Sequence, residues 1–231
     1  MVVSAPALST VRWPRAHRIV KSVYPPIDLF ERVADPADWE ALMALEGLTN
    51  PRLRDEVGDI SLVPPERRVA GQGASVVMAA FTHPAPAGSR FADGRLGAYY
   101  AANDLPTAVA ETAWHLGRVY GDSAEEPGLL AHMRVYVGAI RHAFHDIRRG
   151  YDDLHDPDSY ARSQAFAREL READSEGIVY RSVRRQGGEC VAAFWPDVVT
   201  IPHPTRHLQY HWDGKRIDRY FDLSTNRWTA A

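Results

Sequence analysis

Short segments in which apolar and polar residues alternate mark most of the predicted strands. Residues 129–137 alternate His132, Arg134 and Tyr136 with apolar neighbours, which is typical of a strand with one buried face. The apolar runs at residues 76–81 and 98–102 predict two further strands. Two hairpins are predicted, one from residues 178–183 and 189–195 around Gly187-Gly188, the other from residues 209–212 and 216–223 around Asp213-Gly214.

Three other segments have apolar residues at helical spacing. One begins after Asp104, an N-cap residue type, with Pro106 in the first turn, where the missing N–H of proline costs nothing. The others are residues 157–173, with Pro157 in the first turn, and residues 36–46. Since strands outnumber helices and are mostly linked by hairpins, the sequence predicts an α+β fold (mixed α/β), with a largely antiparallel sheet flanked by helices.

The first 67 residues differ from the rest of the chain. Their apolar content is thin, Pro25-Pro26 interrupts them, and Pro64-Pro65 marks a boundary at their end. We therefore expect residues 1–67 to be an N-terminal extension that packs on the core and does not fold alone. Residues 68–231 would then form the main domain.

The composition narrows the classes of function. The chain has 231 residues, with 27 Lys and Arg against 30 Asp and Glu, so it lacks a basic footprint and we expect no direct nucleic-acid binding. No apolar run approaches the ~18 residues that a membrane span needs, and no signal-peptide pattern is present, so we expect no membrane partner. A single cysteine, Cys190, excludes an intrachain disulfide and fits a reducing, cytoplasmic location.

Residues 88–115 gather the side chains best suited to chemistry. Arg90 lies in a glycine-punctuated loop, where its guanidinium could grip a phosphate or carboxylate or remain an ordinary surface group. Tyr100 on the next strand could stack on a flat ligand ring or pack in the core. Glu111 and His115 share one face of the following helix, although the carboxylate could instead compensate the helix dipole. Loop, strand and helix together direct these four side chains toward one space.

Three other patterns resemble binding sites but fit simpler explanations. Residues 71–76 resemble the start of a dinucleotide fingerprint, but they lack its third glycine. Residues 203–211 carry a histidine at every fourth position, but two prolines oppose the helix that a metal site would need. The acidic residues at 152–158 lack the turn glycine of a calcium loop. We expect no metal site in these segments.

Three separated motifs together resemble the RES-domain family, which is named for its Arg, Glu and Ser. They are GSRF with Arg90, TAVAET with Glu111 and YRSVRRQGGEC with Ser182, in the family's order. The resemblance extends from near Arg68 to the HLQYHWDGKRI hairpin, and the N-terminal extension is similar to that of the longer family members. One departure is Arg181, which stands where the family has a proline before the serine.

The resemblance implies a fold similar to that of ADP-ribosyltransferase toxins and an enzyme that consumes NAD+. Family members are toxins of type II toxin–antitoxin pairs, encoded beside an Xre-type antitoxin with which a hetero-oligomer is expected. Some cleave the nicotinamide–ribose bond with inorganic phosphate as co-substrate, as NAD+ phosphorylases. Others transfer ADP-ribose to a protein target, in one branch a phosphoribosyl pyrophosphate synthetase. No metal is implied.

The resemblance also assigns the NAD+ site by position. The catalytic residues that it implies are Arg90, Glu111 and Ser182. The NAD+-binding set adds Tyr100, His115 and an upstream arginine, for which Arg68 fits better than Arg67. This chemistry is reasonable, because a carboxylate can stabilise an oxocarbenium-like ribose and guanidinium forks suit a pyrophosphate. Ser182 could hydrogen-bond the nicotinamide amide or the ribose.

Two hypotheses from other classes stay open at this point. The Arg181 departure allows a non-catalytic, partner-binding module that keeps the fold, which NAD+ depletion by substoichiometric protein would exclude. The histidine-rich C-terminal stretch allows a metal-dependent hydrolase, which unchanged activity in a chelator would exclude. The sequence does not choose between phosphate, water and protein as the acceptor.

Overall fold

The computed structural model describes residues 5–23, 39 and 58–231. Within these residues, eight strands form one sheet and three α-helices pack against it. The strands are β1 (Leu8–Lys21), β2 (Tyr99–Ala102), β3 (Leu130–Asp146), β4 (Gly177–Arg181), β5 (Glu189–Ala193), β6 (His203–Trp212), β7 (Ile217–Asp222) and β8 (Arg227–Ala230). The helices are α1 (Ser75–Thr82), α2 (Leu105–Asp122) and α3 (Ala161–Glu172).

The strands follow the order β1-β2-β5-β4-β3-β6-β7-β8, and β1 also pairs with β3. This additional pairing closes β1, β2, β5, β4 and β3 into a ring, from which β6, β7 and β8 extend. Among the described strands, β3 and β4 pair in parallel and the other neighbours are antiparallel. The structure therefore confirms the predicted α+β fold with a largely antiparallel sheet, including both predicted hairpins.

Strand β1 is an integral part of this sheet. It pairs with β3 from Leu8↔His145 to Lys21↔Met133, and it meets β2 at His17↔Ala102. The expectation that residues 1–67 form an extension packed on the core stays a prediction, but their first described segment supplies a strand of the main sheet. The helix predicted over residues 36–46 lies outside the described residues, apart from Trp39, which is helical and fully buried.

Two apolar cores lie on opposite faces of the ring, because side chains alternate along each strand. On β4, Ile178 and Tyr180 enter the core that α2 and α3 cover, whereas Val179 enters the core that α1 covers. No helix in the described part of the chain is long and apolar enough to cross a membrane.

The apolar run at residues 76–81 forms helix α1, so the strand predicted there was wrong. A short, continuously apolar run has no clear period, and its burial suits a helix as well as a strand. The buried side chains Val77, Met78 and Phe81 lie on the face that packs on the sheet. Gly97, just before β2, permits this packing, because a Cβ there would come within 2.0 Å of the Ala80 carbonyl oxygen.

Two element boundaries also differ from prediction. Strand β3 continues to Asp146, well past residue 137, because its second half pairs with the N-terminal half of β1. Helix α3 begins at Ala161 rather than near Pro157. Before it, the Asp156 carboxylate accepts hydrogen bonds from the backbone N–H groups of Asp158 and Ser159, and the resulting turn delays the helix.

Candidate active site

A cleft of about 320 Å³ opens where β1, β2, α2 and the loop before β2 meet. Four of the predicted site residues line it: Arg90, Tyr100, Glu111 and His115. The small side chains of Ala102 and Ala108 leave room for a ligand, and the buried side chains of Tyr180 and Cys190 also line the cleft. Burial raises the pKa of both the Tyr180 hydroxyl and the Cys190 thiol well above their ordinary values. Cys190 is a free and buried thiol.

Arg90 is 4% exposed and held by uncharged groups. Its Nη1 donates to the carbonyl oxygens of Leu154 at 3.3 Å and Asp156 at 2.8 Å, and its guanidinium lies 4.8 Å from the centre of the Tyr160 ring. It forms no ion pair with any residue that the structure describes. The guanidinium is thus oriented but not neutralised, which suits an anionic ligand.

Tyr100 fastens the loop that carries Arg90. Its hydroxyl accepts a hydrogen bond from the Phe91 N–H at 3.0 Å and shares another with Ser89 Oγ at 2.7 Å. Desolvation raises the pKa of this hydroxyl, so it stays protonated at neutral pH. With the hydroxyl engaged, the ring is the part of Tyr100 that a ligand in the cleft can contact.

Helix α2 presents Glu111 to the cleft. Asp104 caps the helix just before Leu105, and its side chain accepts a hydrogen bond from the Thr107 N–H at 2.7 Å, which confirms the predicted N-cap. One carboxylate oxygen of Glu111, Oε1, accepts a hydrogen bond from Ser182 Oγ at 2.6 Å. The other, Oε2, has no partner among the described residues, and Glu111 lines the cleft. One oxygen is thus anchored and one is available to a ligand.

The Ser182 hydroxyl is fully occupied inside the protein. Besides donating to Glu111, it accepts hydrogen bonds from the backbone N–H groups of Arg184 at 3.1 Å and Arg185 at 3.0 Å. A hydroxyl offers one donor and two acceptor positions, so all three are used. The geometry therefore favours a role for Ser182 in holding Glu111 and the following loop, rather than the expected contact with nicotinamide or ribose.

Arg181, the departure from the family pattern, does not distort this arrangement. It ends β4 in regular pairing with Glu189, and the Ser182 N–H still donates to the Gly188 carbonyl at 2.8 Å. Its guanidinium forms an ion pair with Asp152 at 2.7 Å. The backbone before Ser182 is consequently regular without a proline.

The structure does not bring Arg68 to the cleft. Its guanidinium is buried beside the 3-10 turn Ile60–Leu62, where Nε donates to the Val63 carbonyl at 2.8 Å and Nη2 to the Ile60 carbonyl at 3.3 Å. Arg67 is also engaged elsewhere, in ion pairs with Glu176 and Asp197. Both arginines are therefore committed to structural contacts.

The upstream arginine of the cleft is instead Arg18 on β1, which the sequence reasoning missed. Its Nη1 donates to the Tyr100 carbonyl at 3.2 Å, and its guanidinium stacks 4.5 Å from the centre of the Tyr99 ring. Burial lowers its pKa from the ordinary value of an arginine. The sequence around residue 18 offered little signal, because a register shift between Trp13 and Ala16 interrupts the alternation of buried and exposed residues along β1.

His115 lies at the mouth of the cleft, where its ring retains solvent contact. It packs edge-on against Trp114, with ring centres 5.0 Å apart. Desolvation, followed by the charges of Arg184, Arg90 and Arg118, lowers the pKa of His115 to about 4. The imidazole is therefore neutral at physiological pH, surrounded by three cations.

The three histidines at positions 203, 207 and 211 lie on strand β6. Residues four apart on a strand are separated by about 13 Å, too far for one metal ion to bind both. Within the described residues, no three His, Cys, Asp or Glu side chains are grouped as a metal site requires.

Comparisons with known proteins connect this cleft to a family. A protein-family model described as the RES domain matches residues 65–213. The curated protein y4oC of Sinorhizobium fredii (strain NBRC 101917 / NGR234), described as uncharacterized, is 28% identical over 202 residues, which cover 87% of this chain and 84% of that protein. A solved structure titled as the M. tuberculosis MbcT-MbcA toxin-antitoxin complex aligns over 87% of each chain, with a TM-score of 0.45 and 12% identity.

Proposed function

Because the chain belongs to the RES domain family, we propose that it is the toxin of a toxin–antitoxin pair and that it consumes NAD+. One observation carries this proposal: a single cleft combines Glu111, anchored by Ser182, with two arginines and a tyrosine ring. The family match covers residues 65–213 and includes Arg90, Tyr100, Glu111 and Ser182. Arg18 lies before the matched segment and completes the cleft through β1.

The reaction proposed is cleavage of the bond between nicotinamide and ribose. As this bond breaks, its electron pair leaves with nicotinamide, which departs as a neutral base, and positive charge develops on the ribose ring. A carboxylate beside the ribose stabilises that charge, as in glycoside hydrolysis. Glu111 supplies this carboxylate, and the hydrogen bond from Ser182 keeps its free oxygen directed toward the cleft.

The remaining residues bind and orient the dinucleotide. Arg18 and Arg90 provide guanidinium groups for the two phosphates, and both are fixed by contacts to carbonyl oxygens and aromatic rings. Tyr100 offers its ring to the nicotinamide, because its hydroxyl is held by the loop. Neutral His115 can donate a hydrogen bond at the mouth without repelling the cationic nicotinamide ring.

The acceptor of the ADP-ribose group is proposed to be inorganic phosphate, which would make the protein an NAD+ phosphorylase. A protein acceptor is the alternative, with a phosphoribosyl pyrophosphate synthetase as the target that the family resemblance offers. In both reactions an acceptor oxygen or nitrogen forms a bond to the ribose C1′ as nicotinamide leaves. The two differ only in what enters the mouth of the cleft.

The test is nicotinamide release by the purified chain and by its Glu111→Gln variant. Glutamine keeps the shape and can still accept from Ser182, but it removes the charge. We expect the variant to release nicotinamide at least 100-fold more slowly while its melting temperature stays near that of the wild type, since such electrostatic contributions are worth ~3–4 kcal/mol. Equal rates for both proteins would reject the site assignment.

The toxin proposal also requires a partner that restrains the enzyme. We propose an Xre-type antitoxin that covers the cleft and forms a hetero-oligomer with this chain. Light scattering on the co-expressed pair should give a mass above that of either chain, and NAD+ turnover by the complex should fall. If the pair elutes as separate chains and turnover is unaffected, the partner assignment fails.

A further inference from the structure

Two arginines stack on one tryptophan just outside the cleft. The guanidinium of Arg184 lies 3.4 Å from the centre of the Trp114 ring, and that of Arg118 lies 5.2 Å from it. Arg118 and Trp114 sit one turn apart on α2, whereas Arg184 comes from the loop between β4 and β5. The aromatic ring therefore gathers two cations from separate elements.

This cluster adjoins the cleft through its neighbours. Trp114 packs against His115, which lines the cleft, and the Tyr160 ring lies 6.4 Å from Trp114 and 6.2 Å from His115. The backbone N–H of Arg184 donates to the Ser182 hydroxyl, which in turn donates to Glu111. The two stacked guanidinium groups thus stand at the mouth, one short chain of contacts from the carboxylate.

The cluster carries positive charge that no carboxylate of the described residues balances in an ion pair. Among the described residues, nine arginines form ion pairs with carboxylates, but Arg118 and Arg184 do not. Arg184 Nη2 donates to the Pro157 carbonyl, and the Arg184 side chain also interacts with that of Tyr160. Its Nε is buried and has no hydrogen-bond partner among the described residues. In a chain whose net charge is −3, uncompensated cations at the mouth of a cleft favour an anionic ligand.

We propose that Arg118 and Arg184, stacked on Trp114 beside His115, form an oxyanion subsite at the mouth of the cleft, separate from Arg18 and Arg90 inside it. Stacking fixes the plane of each guanidinium. No described residue forms a hydrogen bond or an ion pair with Arg118, so its N–H edge is open to a phosphate-type oxyanion. Arg184 adds a second positive charge beside it, held in place by Trp114 and the Pro157 carbonyl. Neutral His115 adds a donor without adding a charge that must be desolvated. The ligand class is a phosphate group, which can come from free phosphate or from the pyrophosphate of the dinucleotide.

The identity of the phosphate source rests on the proposed function, but the subsite itself does not. Binding of inorganic phosphate to the purified chain can be measured by calorimetry whether or not the protein consumes NAD+. If the wild type neither binds nor consumes NAD+ but binds phosphate through these arginines, the proposed function fails and the subsite stands. Failure of the proposed function can therefore be told apart from failure of the oxyanion subsite.

The experiment compares phosphate affinity in the wild type and in Arg118→Gln, at constant ionic strength. Arg118 is exposed and stacks on Trp114, and it forms no hydrogen bond or ion pair with a described residue, so its loss should not impair folding. Arg12→Gln on β1 is the matched control, because it removes the same charge from an exposed position on another element. Arg184→Gln is the second variant, and its melting temperature shows whether the loop after β4 remains in place.

We expect Arg118→Gln to weaken phosphate binding about tenfold or more, since charge-assisted hydrogen bonds to an oxyanion are among the strong ones. Arg12→Gln should change it less than about twofold, the size of a screened long-range effect. NAD+ affinity, measured in the Glu111→Gln background, identifies the source: unchanged affinity indicates free phosphate, and a parallel loss indicates the pyrophosphate. Wild-type phosphate affinity in Arg118→Gln, or equal losses in Arg118→Gln and Arg12→Gln, would overturn the proposal.

Discussion

Replacing Ser182 with alanine tests whether the serine acts through Glu111. The change removes one hydrogen bond to a carboxylate, at 2.6 Å, and the acceptor of two backbone N–H groups. A hydrogen bond to a charged group contributes about 1.5–3 kcal/mol, so if the bond acts mainly by orienting Glu111, kcat should fall about 10- to 100-fold. The two N–H groups lie in a partly exposed loop, where water can accept some of the hydrogen bonds that Ser182 accepted.

Stability and activity separate the two roles of the hydroxyl. Losing the acceptor of the two loop N–H groups should cost roughly 1–2 kcal/mol, which lowers the melting temperature by about 2–8 °C in a chain of this size. Ser182→Thr keeps the hydroxyl and should recover most of the activity. Both variants are measured by nicotinamide release and by thermal unfolding.

A double-mutant cycle decides whether Ser182 touches substrate directly. If its effect passes through Glu111, Ser182→Ala should reduce the residual activity of Glu111→Gln by less than about threefold. The reasoning is refuted if Ser182→Ala lowers activity by the same factor in both backgrounds, because the serine would then contribute independently of the carboxylate. It is refuted equally if Ser182→Ala is as active as the wild type.

Three further predictions test other parts of the structure. Arg18→Gln should raise the KM for NAD+ about tenfold or more, because Arg18 lines the cleft. Arg68→Gln should leave the KM within about twofold and lower thermal stability, because Arg68 holds backbone carbonyls outside the cleft. The opposite pattern in steady-state kinetics would restore Arg68 as the NAD+-binding arginine. Gly97→Ala should cost about 1–3 kcal/mol in urea unfolding through its clash with α1, while Gly121→Ala, whose nearest neighbour is 3.9 Å away, should add about 0.5–1 kcal/mol; equal midpoints would contradict this. The pKa of His115 is about 4 in the folded protein against 6.5 in the unfolded chain, so the unfolded chain binds more protons and stability is lost as the pH falls from about 6.5 to 4. His115→Gln should lose less stability than the wild type over that range, and identical pH profiles would show that the histidine is not shifted.

The parts of the site that the sequence predicted are those that lie close together in the chain. Arg90, Tyr100 and Glu111 belong to one loop–strand–helix unit, so glycine positions, a short strand and an N-cap were enough to bring them to one cleft. Ser182 is 71 residues from Glu111, and only the family motif connected the two. The motif identified Ser182 as a site residue, but only the structure shows its hydrogen bonds to the loop and to Glu111.

The predictions that were wrong concern features that the tertiary structure decides. Arg18 reaches the cleft because β1 pairs with both β2 and β3, and no local pattern reveals which strand a distant segment will join. Arg68 lay at a suitable distance along the chain, but its guanidinium satisfies carbonyl oxygens of a nearby turn. Helix α1 was misread because a run such as VVMAAF is apolar on every side, and the tertiary environment decides its conformation.

The most direct test of the central claim is NAD+ turnover by the purified chain at a large excess of NAD+, with and without inorganic phosphate, followed by mass spectrometry of the products. We expect multiple turnovers that release nicotinamide in amounts equal to the NAD+ lost, with an ADP-ribose phosphate as the second product when phosphate is present. A protein acceptor would instead become labelled when lysate and labelled NAD+ are added. The proposed function would be wrong if the folded, partner-free chain left NAD+ intact in all three conditions: with phosphate, without phosphate and with lysate.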